Sequence, residues 1–332
     1  MAILVCGGAG YIGSHTVKAL FDQGKEVVVF DNFSKGHKEA IPSGIPVYEG
    51  DIRDKDALRQ VFYIENIEAV IDFAADSLVG ESVTEPHRYY HNNLYGTLSL
   101  LEVMKENDIK YIVFSSTAAT YGEPERIPIE ETDKTEPTNP YGETKLAVEK
   151  LLKWSDNAYG LKYTGLRYFN AAGAHETGTI GEDHQPESHL IPIVLQVALG
   201  QREKIMVFGD DYDTADGTCV RDYIHVMDLA DAHIKALNRI MEGGDSDIFN
   251  LGNGTGFSVN EIIEFAREVT GHPIPVEIAP RRAGDPAVLI ASANKAKSIL
   301  NWELKYTDVK DIIKTAWLWH EQHPNGYNKM EA

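Results

Sequence analysis

Cysteine is nearly missing: Cys6 and Cys219 are the only two in 332 residues, and neither belongs to a Cys-x-x-Cys pair. That excludes a disulfide framework, gives structural zinc no support, and makes a reducing cytosol the natural setting. Positive charge is scarce as well, with 31 Lys and Arg against 51 Asp and Glu and a formal charge of −20. Such a field repels a phosphate backbone wherever no local basic patch overcomes it, so nucleic acid is not expected as a partner. No uncharged stretch approaches the ~18 residues of a membrane span. The apolar start Met-Ala-Ile-Leu-Val-Cys lacks a basic lead-in and runs into glycines, so no signal peptide is expected and the cytoplasm is the expected location. Repeats, low-complexity tracts and Pro/Ser linkers are missing too.

What is present is an ordinary globular balance, 43% apolar and 25% charged, in a length that allows about two domains. Short β-branched runs at 3–6, 26–31, 69–73, 111–115 and 162–167 alternate with helical patterns such as Tyr90, Leu94, Leu98 and Leu101. Near-continuous apolar strands separated by helices predict an α/β fold, a doubly wound parallel sheet of the Rossmann kind covered on both faces. After about residue 170 the alternation loosens into Gly-, His- and Asp-rich loops, which predicts a smaller α/β substrate-binding lobe. The expected division is 1–169 for the nucleotide-binding domain and 170–332 mainly for the second lobe, with 220–260 returning to the first.

Gly7-Gly8-Ala9-Gly10-Tyr11-Ile12-Gly13 follows the first strand and opens the first helix. Gly7 permits a tight turn, Gly10 lets backbone approach a pyrophosphate, and Gly13 lets helix and strand touch. The helix N-terminus then offers free N–H donors to the phosphates. The second strand ends in Asp31, whose carboxylate can accept both ribose hydroxyls and would repel a 2′-phosphate, so NAD is favoured over NADP. Asp51 and Ile52, after the third strand, could hold an adenine edge and cover its face.

Tyr141 and Lys145 stand four residues apart on one helix face, behind an Asn139 N-cap and a first-turn Pro140. Ser115, Ser116 and Thr117 end a strand at the ligand edge of the sheet. For a phenol to act as a base near neutrality its pKa must drop from about 10 to about 7, roughly 4 kcal/mol of preference for phenolate. One ammonium about 4 Å away at an effective dielectric of about 20 supplies that much, desolvation acting against it. Thr117 would hydrogen-bond the substrate oxygen that loses its proton.

These motifs, in order with 79–82, 89–97, 167–173, 220–229 and 281–285, resemble the extended short-chain dehydrogenase/reductase superfamily and, within it, the UDP-glucose 4-epimerase family along nearly the whole chain. The resemblance implies hydride removal from C4 of a UDP-hexose by tightly held NAD⁺ while Tyr141 takes the hydroxyl proton, then return of the hydride to the opposite face. It implies dinucleotide contacts at Tyr11, Ile12, Asp31, Asn32, Phe33, Ser34, Lys35 and Gly36. Further contacts are implied at Asp51, Ile52, Phe73, Ala74, Ala75, Asp76, Ser77, Asn93, Thr117, Tyr141, Lys145 and Phe169. Uridine and diphosphate would fall to Asn170, Leu190, Phe208, Arg221, Arg282 and Asp285, and a homodimer would form through helices around 89–105 and 140–154. Three positions depart from the family's habit. Thr117 stands where serine is frequent and keeps the hydroxyl. Ser77 stands where many relatives carry lysine, so weaker NAD retention is expected. Leu289 stands where relatives place tyrosine or a smaller residue, and anything smaller than tyrosine leaves space for a C2 acetamido group, making UDP-N-acetylhexosamines a second substrate class.

Other readings share the nucleotide cradle. A 4,6-dehydratase would need an acid–base pair directly after the threonine, where Ala118 and Ala119 stand. A net oxidoreductase would need an exchangeable cofactor, and a non-catalytic NAD-binding regulator would not need Thr117, Tyr141 and Lys145 together. His184 with His189, and His320 with His323, have no third ligand from spacing, so no metal is expected there.

Overall fold

Thirteen strands, numbered in chain order, build three sheets in the computed structural model, which describes residues 1–282 and 285–327. Positions 283 and 284, inside the 281–285 motif, and 328–332, at the end of the second lobe, lie outside the described residues. The strands are β1 (Ala2–Cys6), β2 (Val27–Asp31), β3 (Val47–Glu49), β4 (Ile67–Asp72), β5 (Tyr111–Thr117) and β6 (Lys162–Tyr168), then β7 (Asn170–Ala172), β8 (Ile205–Phe208), β9 (Val220–His225) and β10 (Asp247–Leu251). The last three are β11 (Gly256–Ser258), β12 (Val276–Ala279) and β13 (Val288–Leu289).

The main sheet has the order β10-β6-β5-β4-β1-β2-β3, and every neighbouring pair is parallel. This is the doubly wound Rossmann arrangement, and the strand order reverses at β1 and β4. Both faces are buried because successive residues of β1 point opposite ways. Ile3 and Val5 join a core with the Tyr11–Asp22 and Val226–Met241 helices, while Leu4 and Cys6 join one with Lys55–Ile64, Gly96–Glu106 and Pro140–Tyr159. Segment 226–251 thus supplies a covering helix and the seventh strand, β10, although it follows the second lobe's first elements in the chain.

A third core gathers the Leu190–Ala198, Val259–Thr270 and Val309–Gln322 helices with β8 and β9. There β9 pairs with β7, β11 and β13, and β12 pairs with β8. β6 and β7 are separated by Phe169 alone, so the chain passes from one sheet to the other directly above the carboxyl ends of the main strands. Ligands of open α/β sheets collect at that edge.

Candidate active site

At the β1 turn the glycines do different work. Gly7 has φ +71, and a Cβ there would meet the Ala74 backbone nitrogen at 2.8 Å; a Cβ on Gly13 would collide with the Gly7 carbonyl. Both are required by chain packing. A Cβ on Gly10 would meet nothing closer than 3.4 Å, so this glycine keeps the cleft side of the turn open. Asp31, buried at the end of β2, accepts from Ala9 N (2.9 Å) and Phe33 N (2.8 Å), and burial raises its pKa. Each carboxylate oxygen retains lone-pair capacity for a ribose hydroxyl. Asp51 is gripped by Arg53, which holds its carboxyl down at about 2, with Asn32 as a further donor. An open turn at a helix N-terminus, with a carboxylate at the end of the next strand, fits a dinucleotide.

A cleft of about 310 Å³ lies over this edge. Of the residues singled out in the sequence it is lined by Gly7, Gly10, Tyr11, Ile12, Gly13, Lys35, Phe73, Ala75, Asp76, Ser77, Thr117, Tyr141, Lys145, Phe169 and Asn170. Asp31, Asn32, Phe33, Ser34, Gly36, Asp51, Ile52 and Ala74 are not in its lining. Asn93 is buried behind the wall, where its side-chain amide donates to the Asp76 carbonyl (2.9 Å) and accepts from the Asp76 N–H (2.8 Å). It shapes the 74–78 turn from the π-helical stretch Tyr90–Tyr95. Leu190, Phe208, Arg221, Arg282, Asp285 and Leu289 also stand outside the lining. Arg221 pairs with Asp285 at 2.7 Å, the Arg282 guanidinium lies 4.0 Å from the Phe208 ring centroid, and Leu289 is the β13 partner of Arg221.

The reacting groups sit on two elements. Thr117 is the last residue of β5 and is buried; Tyr141 and Lys145 occupy the first turns of the Pro140–Tyr159 helix, whose Asn139 cap accepts from Gly142 N at 2.9 Å. Lys145 donates to the Ser115 carbonyl (2.7 Å) and lies 4.7 Å from the Phe114 ring centroid. Burial depresses its pKa to about 8, against the charges of Asp72 and Glu149. Asp72, itself buried, is pushed up to about 6.

Burial raises the Tyr141 pKa, and the Thr117 hydroxyl opposes that rise. In the chain alone, burial outweighs the hydrogen bond from Thr117.

Ser115, placed at this edge from the sequence, also lines the cleft. Sequence reasoning missed Glu81, Tyr168 and Pro186 in the same lining, and it set aside His184 and His189, which line the cleft too. Glu182 and Glu187 stand with the two histidines, one ligating atom from each of the four lying within 4.8 Å of the others. Burial favours neutral rings, yet Glu182 and Glu187 drive His184 up to about 10. His189 and His184 in turn hold the Glu182 carboxyl well below its usual range despite its burial. The run Glu-Asp-His-Gln-Pro-Glu-Ser-His was a usable signal, had its glutamates been read with its histidines.

With this geometry in place, the chain belongs to the NAD dependent epimerase/dehydratase family, whose model matches residues 3–252, and its cofactor is NAD. It is 63% identical over 328 residues to the UDP-glucose 4-epimerase of Halalkalibacterium halodurans, covering 99% of this chain and 98% of that one. A crystal structure of a UDP-glucose 4-epimerase superposes with a TM-score of 0.97 at 62% identity, over 99% of this chain and 100% of the other. The Bifidobacterium longum UDP-glucose 4-epimerase, solved with NAD⁺ and UDP, gives 0.94 at 42% identity, over 98% and 100%.

Proposed function

We propose that the chain interconverts UDP-glucose and UDP-galactose by inverting C4, as an isomerase with no net redox change. The observation that carries this reading is the convergence of Thr117, Tyr141 and Lys145 on a cleft whose floor is the glycine turn. NAD, when bound, supplies a reversible hydride acceptor. The chain supplies the proton chemistry and the enclosure. Tyr141 takes the proton of the C4 hydroxyl and later returns it to the same oxygen once C4 has been inverted. The Thr117 hydroxyl favours the phenolate and can orient the same sugar oxygen. Lys145 holds a positive charge beneath them from the Ser115 carbonyl. Because substrate and product are at one oxidation level, the cofactor ends as it began. The dehydratase alternative lacks its acid–base pair, since Ala118 and Ala119 form the turn after Thr117.

The lobe from residue 170 holds the UDP-hexose in this reading. Arg221 and Arg282 are fixed cations suited to diphosphate, the Phe208 ring offers a face to the base, and Asn170, Leu190 and Asp285 complete the contacts. Leu289 leaves room for a C2 acetamido group, so UDP-N-acetylglucosamine and UDP-N-acetylgalactosamine form a second substrate pair. The enzyme acts as a cytoplasmic homodimer. Tyr90, Tyr95 and Trp154, all exposed on the segments assigned to the dimer face, support that assembly, and among the described residues no helix is long and apolar enough to cross a membrane.

The test supplies UDP-galactose and UDP-N-acetylgalactosamine separately to purified protein without added cofactor, then repeats both with NAD. The gluco epimer appears in each, and Tyr141→Phe lowers kcat by about 10²–10⁴-fold with NAD still bound. A Tyr141→Phe protein as active as the parent sinks the assignment.

A further inference from the structure

The cluster on the far wall of the cleft joins the two halves of the molecule. Segment 181–189 leaves the second lobe packed on Trp319: the indole Nε1 donates to the Glu182 carbonyl at 3.2 Å, and a side chain on Gly181 would collide with the indole ring. It then crosses to the loop after β2, where Lys35 donates to the Gln185 carbonyl (2.7 Å) and the His37 Nε2 meets the Asp183 carbonyl (3.0 Å). Between these anchors the edge of the Tyr11 ring faces His184, with centroids 6.1 Å apart. The segment is a strap over the groove whose floor is the glycine turn.

Two carboxylates stand in the wall of a groove built for a pyrophosphate, and each is paired with both histidines. Bonds of about 2.0–2.1 Å at the tetrahedral angle place neighbouring ligand atoms about 3.3–3.4 Å apart around zinc. Here His184 Nδ1 lies 3.2 Å from Glu182 Oε1 and 3.8 Å from Glu187 Oε2, and His189 Nδ1 lies 3.7 Å from Glu187 Oε1. A fourth pair, His189 with Glu182, is closed by a hydrogen bond, which a metal would replace, and the remaining two of the six pairs around a tetrahedral ion lie within 4.8 Å. Two imidazoles with two carboxylates suit a borderline transition ion; magnesium and calcium prefer all-oxygen shells. One dication with two neutral imidazoles also cancels both carboxylates, and exposed His189 leaves an entry path.

We propose that Glu182, His184, Glu187 and His189 bind a zinc-class divalent ion that clasps the 181–189 strap over the dinucleotide cleft. The clasp, though not the ion site, rests on that cleft holding NAD.

The whole protein, stripped with EDTA and desalted, is titrated with zinc chloride, and bound zinc, released NAD and the unfolding midpoint are measured together. The parent takes up about one zinc per chain, its midpoint rises by about 3–5 °C at saturating zinc, and NAD loss on repeated desalting slows about fivefold or more. The double variant His184→Asn/His189→Asn takes up none. Glu187→Gln, which keeps an oxygen to accept from the Ser188 and His189 N–H groups, binds zinc about 10–100-fold more weakly while its far-UV circular dichroism and cooperative unfolding are retained, which separates ligand loss from misfolding. Absent uptake, or equal uptake by the parent and double variant, overturns the site. Uptake with unchanged NAD loss overturns the clasp. Epimerisation of UDP-galactose is scored separately, so failure of the assigned reaction leaves the zinc measurements readable.

Discussion

Lys145 carries the central electrostatic contest. Burial favours its neutral form and brings its pKa to about 8, while the Asp72 charge works to keep it protonated. The ammonium is therefore lost as pH rises through about 8, and kcat/KM falls along that alkaline limb. Replacing Asp72→Asn removes a negative neighbour but keeps an oxygen for Ala74 N, to which Asp72 now bonds at 3.0 Å. The lysine pKa then falls further, and the limb moves to lower pH in the variant's pH–rate profile. A limb that stays in place assigns the fall to another group. Tyr141 teaches the complementary lesson: its spacing from Lys145 was legible in the sequence, but the competition between burial and charge was not. That balance depends on where the ammonium finds its nearest oxygen, and it finds the Ser115 carbonyl.

The Pro140–Tyr159 helix brings both groups to the sheet edge, and a buried ion pair fastens it. Glu149, two turns from Tyr141, accepts from Arg167 Nε at 2.9 Å and Nη2 at 2.5 Å, and from Ser116 Oγ at 2.5 Å. Arg167 continues to Tyr121 Oη (2.9 Å), which donates to Asn250 Oδ1 (2.6 Å). Helix, β5, β6 and β10 are tied in one polar chain. Truncating Glu149→Ala leaves a buried guanidinium without its carboxylate, and urea denaturation should show a loss of about 3–5 kcal/mol. A loss under about 1 kcal/mol, the size of an exposed pair, would show that water reaches the site. The helix itself was readable from Asn139, Pro140 and its apolar period. Its internal clamp was not, because Ser116, Glu149, Arg167 and Asn250 come from four separate elements.

The proposed dimer belongs to the whole molecule. Trp154 is 71% exposed and Tyr90 43%, large apolar surfaces with a reason to be covered. Trp154→Glu should shift the chain from dimer to monomer in sedimentation velocity, with unchanged far-UV circular dichroism; a parent already monomeric at micromolar concentration removes the assembly from the proposal.

What the sequence by itself determined was local: the glycine turn, Asp31 eighteen residues beyond Gly13, the Asn139–Pro140 helix start and the apolar strands of the parallel sheet. Each depends on backbone conformation and side-chain periodicity within a few residues or one βαβ unit, so reading along the chain suffices. Tertiary structure alone decided that Lys145 leans on Ser115, that Asn93 braces Asp76 from behind the cleft wall, and that Glu182, His184, Glu187 and His189 converge above the glycine turn. Those meetings are set by which elements pack against one another in three dimensions, and no periodicity within a single segment records that choice.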